Sequence, residues 1–244
     1  MDQLPKDKIL ANAYDFFIEF FNKKSIAFKK KKAKDFKINP FTIQATAKAI
    51  SDKVDAQSMA EAIVYPFALG TSIATSFGTQ VQEFIVKTMG DPVVGSVVQG
   101  MDIEYYDAID GNKKYCQLKS GPTTINKDDI KTIEDHFTGL YNLARTNHRN
   151  MGINDAVVGV LYGDKNDLSQ MYKHIIKDGY VVLCGEDFWY HLTGYKDIYS
   201  DLVKVAQKAA INSEMKNDFQ SLIDRVKTRV EEDPESYGLK KDDI

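Results

Sequence analysis

The chain has few of the residues from which metal and redox sites are usually built. Its two cysteines, Cys116 and Cys184, both lie in apolar segments, which is typical of core thiols in a reducing cytoplasm. The four histidines are scattered, with no zinc-like spacing and no cysteine nearby. These absences disfavour a zinc site and a mechanism based on histidine or on a Ser-His-Asp arrangement.

The sequence also lacks long apolar runs, internal repeats and a glycine-rich phosphate loop. No run approaches the length that crosses a membrane, and the first residues do not have the layout of a signal peptide. Hydrophobic residues make up 43% of the 244 positions, which is enough for a packed core. We therefore expect a folded cytoplasmic protein with one large domain.

Charge is distributed unevenly along the chain. The formal net charge is −3 and the pI about 5.9, which on average argues against a nucleic-acid partner. However, a cluster of lysines lies between positions 23 and 37, opposed there only by Asp35, and the acidic stretch 231–235 offsets it. A mildly acidic total is therefore compatible with a basic surface that binds DNA.

Hydrophobic periodicity predicts helices at both ends of the chain and strands in the middle. The lysine-rich segment and the residues up to Phe41 are predicted to form a connector, in which Pro40 ends any helix. The tail after Glu231 is predicted to fray. Helices are expected over 6–21, 43–54, 56–69, 79–89, 126–148 and within 199–231, and strands over 93–98, 101–109, 114–119, 156–162 and 180–184.

The most informative segment is a predicted hairpin. Asp110-Gly111, the dipeptide that most favours a two-residue turn, lies between Gly100-Met-Asp-Ile-Glu104 and Cys116-Gln-Leu-Lys-Ser-Gly-Pro122. The pattern therefore indicates a strand, a tight turn and a second strand.

The predicted register brings polar side chains together. With a two-residue loop, Asp102 lies opposite Lys119 and Glu104 opposite Gln117, and strand alternation places all four on one face. Two carboxylates, an amide and an ammonium make a poor core. They make a good site for a metal ion and a phosphate.

Phosphodiester cleavage requires a cation, an activated water and help for the leaving oxygen. Asp102 is the first candidate ligand for Mg²⁺, and the Leu118 carbonyl is expected nearby. Lys119 could orient or deprotonate the attacking water, or stabilise charge on the phosphate. Glu83 lies on the helix before the strands, from which it could reach the end of a strand.

The hairpin, with Gly-Met-Asp-Ile-Glu before it and Gln-Leu-Lys-Ser-Gly-Pro after it, resembles the active-site hairpin of type II restriction endonucleases of the PD-(D/E)XK superfamily. The segments 38–41, 157–163 and 185–189 resemble members that cut interrupted palindromes with GG and CC arms. The similarity covers roughly residues 38 to 194.

The resemblance implies an α/β fold with a restriction-endonuclease-like core. This core is a mixed sheet in the order α-β-β-β-α-β, flanked by helices, with helical additions at both termini. The expected organisation is a single nuclease domain over residues 1–244. It comprises a helical region 1–70 with the lysine-rich segment, a catalytic core 71–194 and a helical region 195–244.

By this resemblance Asp102 matches the first acid of the superfamily motif, Lys119 the lysine, and Glu83 a helix-borne acid. Gln117 departs from the pattern, because it stands where the superfamily usually has Asp or Glu. An amide is a weaker metal ligand than a carboxylate. Either Glu83 or Glu104 therefore supplies the missing charge, or this chain is impaired.

Two further groups are candidates for DNA contacts. One is the polar segment that follows the lysine-bearing strand, and the other is the centre of the lysine cluster, whose ammonium groups suit phosphates. The residues are Ser120, Thr123, Thr124 and Asn126 in the first group and Lys30, Lys31 and Lys32 in the second.

The function implied by the resemblance is Mg²⁺-dependent, sequence-specific cleavage of double-stranded DNA, leaving 5′-phosphate and 3′-hydroxyl ends. A symmetric DNA site calls for a symmetric protein, so we expect a homodimer. A prokaryotic cytoplasm and a cognate DNA methyltransferase in the same system are also implied. The alternatives are a repair or recombination nuclease of the same fold, a catalytically impaired DNA-binding protein, and an unrelated α/β binding protein.

Overall fold

The computed structural model describes residues 4–240, which form two compact units. The first unit contains residues 4–16 and 78–206, and the second contains residues 17–77 and 207–240. Within the described part of the chain, no helix combines the length and the apolar character needed to span a bilayer.

The first unit is built on a mixed sheet of five strands, counted over the described residues, in the order β1-β2-β3-β4-β5. β2 runs antiparallel to its neighbours β1 and β3, whereas β3, β4 and β5 run parallel. This arrangement confirms the predicted restriction-endonuclease-like α/β fold. The strands are Val93–Gly95, Ile103–Tyr106, Lys113–Lys119, Ala156–Val160 and Val181–Cys184.

Helices cover both faces of this sheet. On one face Ile133, Phe137 and Leu140 of α6 pack with Val158 and Val160 of β4. On the other face Phe188 of α8 lies against Gly159, and Trp189 of α8 contacts Phe84 of α5 with ring centroids 5.8 Å apart. Both cysteines are buried and free. The helices of this unit are α5 (Val81–Met89), α6 (Lys127–Thr146), α7 (Gln170–Lys177) and α8 (Glu186–Thr193).

The second unit is helical. Its core contains Met59, Ile63, Leu222, Val226 and Val230, through which α3 packs on α10. Two helices run from one unit into the other, α1 (Lys6–Lys30) and α9 (Ile198–Asn212), as does the short α4 (Thr75–Thr79). The remaining elements are α2 (Pro40–Ser51), α3 (Ala56–Tyr65), a π-helical segment Pro66–Ala74 and α10 (Met215–Glu232).

The predicted connector after residue 21 is wrong in two respects. α1 continues to Lys30, because Ser25 and Phe28 supply further buried positions at helical spacing. Pro40 begins α2 instead of ending a helix. The Asn39 side chain accepts the Phe41 N–H (3.0 Å), and proline is favoured at the first helical position because its missing N–H is not needed there.

The prediction of a frayed tail is also wrong as far as the structure describes it. Pro234–Tyr237 forms a 3₁₀ turn, and Tyr237 and Leu239 are buried. The Gln44 side chain donates to the Tyr237 and Gly238 carbonyls at 3.2 and 2.7 Å. Two apolar side chains and these hydrogen bonds are enough to hold the segment.

The hairpin register differs from the prediction by two residues. Glu104 pairs with Tyr115, and Ile103 pairs with Cys116, so Asp102 does not lie opposite Lys119 nor Glu104 opposite Gln117. A shift of two keeps the parity of the side chains, so Glu104, Gln117 and Lys119 still share one face.

The longer turn explains the shift. The loop has four residues, 108–111, closed by a hydrogen bond from the Asp107 N–H to the Asn112 carbonyl (2.9 Å). Asp107 and Asp110 stabilise it by accepting backbone N–H groups of Ile109 and Asn112, both at 2.8 Å. Aspartate side chains that bond their own turn thus outweigh the preference of Asp-Gly for the tightest hairpin.

Candidate active site

Asp102 lies just before β2, where the ladder with β3 ends. Its N–H donates to the Cys116 carbonyl (2.9 Å), although the register pairs Cys116 with Ile103. Two residues of one strand thus face one of the other, as in a β-bulge. The carboxylate occupies the next ladder position and accepts the Leu118 N–H through Oδ2 (2.6 Å). The Asp102 side chain is therefore fixed against the end of β3.

The Asp102 carboxyl lies in surroundings that disfavour its charged form. Burial raises the pKa of its carboxyl above the usual value, and this effect outweighs the opposing contributions of the Leu118 N–H, of Lys119 and of the nearby His136. A partly desolvated carboxylate next to a lysine is typical of functional sites.

Strand alternation directs the Leu118 carbonyl to the β2 side of β3, the side on which the Leu118 N–H meets Asp102. Backbone carbonyls alternate along a strand, and the Lys119 carbonyl is directed to the other side, where it accepts the Leu161 N–H after β4 (2.9 Å). A carboxylate and a backbone carbonyl therefore lie together at this edge, and both are ligand types that hard cations take.

Gln117 has an unsatisfied acceptor. The residue is 8% exposed, and its Oε1 is fully buried with no hydrogen-bond partner among residues 4–240. Leaving a buried polar group unpaired costs roughly 1–3 kcal/mol. The oxygen belongs to the same strand face as the Lys119 side chain. A cation, or water held by one, would satisfy it.

Lys119 ends β3 and meets the first turn of α6. Its Nζ lies 4.0 Å from Asp129 Oδ1. Asn126 caps the helix and, in the same capping box, its N–H donates to Asp129 Oδ2 (2.7 Å). Asp129 is thus held by the helix start, with its other oxygen directed toward the lysine.

The structure gives other partners to the two acids expected to compensate for Gln117. Glu104 Oε1 accepts a hydrogen bond from the Ser96 hydroxyl (2.7 Å), and Glu104 Oε2 forms an ion pair with the Lys113 ammonium (2.6 Å). Burial raises the pKa of Glu104, but hydrogen bonds from Lys113 and Ser96 outweigh it and hold the pKa below its usual value.

Glu83 is a different case, because it lies on α5 with a side chain that is 46% exposed. It forms an ion pair with Lys87 one helical turn away (2.7 Å). An exposed pair of this kind is worth about 0–1 kcal/mol, so Glu83 remains free to turn toward another cation.

The loop after β3 is held by packing. A Cβ on Gly121 would lie 2.5 Å from the Tyr162 ring, and Tyr172 donates its hydroxyl hydrogen to the Gly121 carbonyl (3.0 Å). Thr124 Oγ1 donates to the same carbonyl (2.8 Å). Gly121 thus serves close packing, and the loop is fixed relative to β4 and α7.

The predicted DNA-contact residues in this loop differ in what their side chains contact. Thr124 and Asn126 use their side chains for the loop and the helix cap. Thr123 is exposed and Ser120 half-buried, so these two side chains are accessible to a ligand at the end of β3.

The predicted phosphate-binding lysines belong to the second unit. Lys30 and Lys32 are exposed, whereas the Lys31 ammonium lies over the rings of Phe36 (5.1 Å) and Phe67 (4.9 Å). Cation–π contacts still leave an ammonium charged. All three remain basic groups at the surface of that unit.

Sequence reasoning missed two residues near the site, Asp129 and His136, both on α6. For His136 the observation is a close contact. Its ring lies directly on Gly100, where a Cβ would come within 2.2 Å of the imidazole, and Gly100 takes φ +82°. His136 Nδ1 is buried without a hydrogen-bond partner among the described residues. The spacing of Asp129, Ile133 and His136, which places them on one helix face, was the available signal.

Another group of metal-ligating type lies on the flank of α6 and α7. Ligand atoms of Glu134, His174 and Asp178 lie within 4.8 Å of one another. It is the only such group of three among residues 4–240, and it contains none of the predicted ligands. His174 and Asp178 are exposed, and His174 Nε2 lies 3.3 Å from Asp178 Oδ2.

We expect Asp102→Asn to raise the melting temperature of the metal-free protein at pH 8. The folded-state pKa of Asp102 lies above its unfolded value, so the ionised carboxylate destabilises the fold above that pKa. The asparagine can still accept the Leu118 N–H. The gain should shrink as pH falls through the folded-state pKa, which thermal melts from pH 8 to pH 4 would show.

A matched control for this experiment is the exposed Asp91→Asn, which removes the same charge outside the site. An Asp102→Asn protein that melts at or below the wild-type temperature at pH 8 would contradict the prediction.

Comparison with known proteins identifies the relationship of this chain. The family model for type II restriction endonuclease EcoO109I matches residues 17–214. No curated protein matches significantly. The matched range includes every predicted site residue, from the lysine cluster to the hairpin and the start of α6.

Proposed function

Because the chain belongs to the type II restriction endonuclease EcoO109I family, and is thus a site-specific deoxyribonuclease, we propose that it hydrolyses DNA where β2 begins and β3 ends. One observation carries the location. Asp102 is anchored on the Leu118 N–H, with the positive charge of Lys119 close enough to act on its pKa.

The residues at this edge fit a divalent cation, which the family generally uses. Asp102 offers a carboxylate, Leu118 a carbonyl on the same side and Gln117 a buried oxygen without a partner. These oxygens suit Mg²⁺, which keeps several waters and takes few protein ligands. Glu83 is a further candidate ligand, and Glu104 the least supported one, since both its oxygens are engaged.

When bound, the cation would supply charge neutralisation at the phosphate and a more acidic water. Residues of the chain would orient the site and stabilise the charge on the phosphate. Asp102 orients the site through its bond to Leu118, and Lys119 holds positive charge where the phosphate gains negative charge. The tightly packed loop at Gly121 keeps the end of β3, and so Lys119, in place.

Products with 5′-phosphate and 3′-hydroxyl ends follow from attack of water on phosphorus with departure of the 3′ oxygen. Thr123 and Ser120 are placed next to the lysine strand for DNA contacts, and Lys30, Lys31 and Lys32 would bind phosphates from the second unit. Thr124 and Asn126 would then act mainly by shaping that loop.

The protein would act as a homodimer, each subunit cutting one strand of a palindrome. The similarity to enzymes that cut interrupted palindromes favours a site with GG and CC arms. A cognate methyltransferase would protect the host DNA in a restriction–modification system, without needing to touch this chain.

The test is digestion of one sequenced genomic DNA with the purified protein and Mg²⁺, followed by sequencing of the ends. We expect discrete fragments whose ends share one two-fold symmetric sequence and carry 5′-phosphates. Random ends, or cleavage that prefers branched DNA, would instead indicate a structure-reading nuclease. DNA that stays intact would overturn the proposal.

Gln117 supports a second candidate, a DNA-binding protein with an impaired nuclease centre. That candidate predicts specific binding of a duplex without Mg²⁺ and no cleavage with it. Measuring both properties on the same duplex separates the two functions.

A further inference from the structure

The charge balance of the proposed site is incomplete at position 117. A Mg²⁺ site of this kind takes one or two carboxylates, and Lys119 adds a further positive charge. Asp102 supplies one carboxylate, and the amide of Gln117 supplies no charge. A second carboxylate, where the site has one, must therefore come from another position, and an acid near Lys119 would also balance that positive charge, an inference that rests on the proposed function.

Three acids can be compared by their contacts. Glu104 has both oxygens bonded to Ser96 and Lys113. Glu83 is nearly half exposed and paired with Lys87 on its own helix. Asp129 instead has an oxygen that lies 4.0 Å from the ammonium of Lys119 itself.

We propose that Asp129 is the second acid of this active site and supplies the negative charge that Gln117 lacks. Its position follows from the chain: α6 starts shortly after the catalytic strand, and the capping box ties Oδ2 to the Asn126 N–H. This leaves Oδ1 directed toward Lys119. The carboxylate holds the lysine in place and adds negative charge beside the Asp102 edge.

The surroundings of Asp129 are suited to this role. Its side chain is 31% exposed and that of Lys119 is 21% exposed, so their interaction is less screened by water than a fully exposed ion pair. The loop between them is fixed by Gly121 and Tyr162. The acid therefore comes from the helix instead of from the strand.

The test is Asp129→Asn, which removes the charge and keeps an oxygen to accept the Asn126 N–H. We expect Mg²⁺ binding to the protein, measured by calorimetry, to weaken about 10-fold or more, as outer contacts of metal sites usually do when lost. The Mg²⁺ concentration for half-maximal single-turnover cleavage should rise by the same factor, with little change in melting temperature.

Asp128→Asn is the matched control, since it removes an exposed carboxylate from the same helical turn. We expect its Mg²⁺ affinity to stay within about twofold of the wild type, since it lacks the contact with Lys119. The double variant Gln117→Glu/Asp129→Asn places the acid on the strand and should restore most of the affinity.

Unchanged Mg²⁺ binding in Asp129→Asn would overturn this inference while leaving the nuclease assignment intact, provided that the wild type cuts DNA. A larger loss in Glu83→Gln than in Asp129→Asn would also overturn it. A wild type that cuts no DNA would count against the proposed function itself.

Discussion

Lys119→Ala is expected to lower DNA cleavage about 10³-fold, the scale seen when a preorganised group that stabilises transition-state charge is lost. The ammonium lies at the end of β3, which the packed loop at Gly121 follows, and Asp129 Oδ1 is 4.0 Å from it. Alanine leaves no cation in this place. Single-turnover cleavage of a labelled duplex that contains the mapped site would measure the loss.

Binding should change much less than cleavage. Removing one charge near the phosphates weakens a protein–DNA complex only moderately, because many contacts contribute to the binding free energy. Fluorescence anisotropy with the same duplex would show this difference. Lys173→Ala removes an exposed lysine elsewhere in the unit and serves as control. If Lys119→Ala still cut at a tenth of the wild-type rate or faster, the assigned role would be wrong.

Gly185→Ala is expected to cost at least about 3 kcal/mol of unfolding free energy, because strained backbone and a steric clash add together. Gly185 has φ +54° and ψ −120°, and a Cβ there would lie 2.0 Å from the Gly163 carbonyl oxygen. Backbone atoms cannot yield as a flexible side chain does. A fall in melting temperature of roughly 6–12 °C follows from this cost.

The same substitution should also reduce cleavage. Gly163 packs against Pro122 in the loop that follows Lys119, so a displaced Gly163 disturbs the end of β3, where the proposed site lies. Gly139→Ala is the control: this helical glycine has open space around it, and alanine there should stabilise the protein by about 0.4–1 kcal/mol. Equal melting temperatures for the wild type and Gly185→Ala would refute the packing argument.

The strands and the main helices were predictable, because apolar periodicity reports directly on burial. The hairpin was found from Asp110-Gly111, but its register was not, since Asp107 and Asp110 build a four-residue loop with their own side chains. Residue preferences favour certain turn types, but the turn that forms also depends on the side-chain hydrogen bonds made in the folded loop.

Asp102 and Lys119 were identifiable as candidates because their spacing around a turn is a sequence property. Asp129 and His136 were not, because their link to the site depends on where α6 lies over the sheet. Their helical spacing marked one common face of α6. It did not say which strand residues that face would meet.

The elements along the chain and the candidates Asp102 and Lys119 could be proposed from local sequence patterns, and the resemblance to a known family added the α/β core. The anchoring of Asp102 on Leu118, the unsatisfied oxygen of Gln117 and the acid that lies near Lys119 became visible in the folded chain. The physical reason is that charge, burial and hydrogen bonding at a site come from segments distant along the chain, whose distances are set by packing.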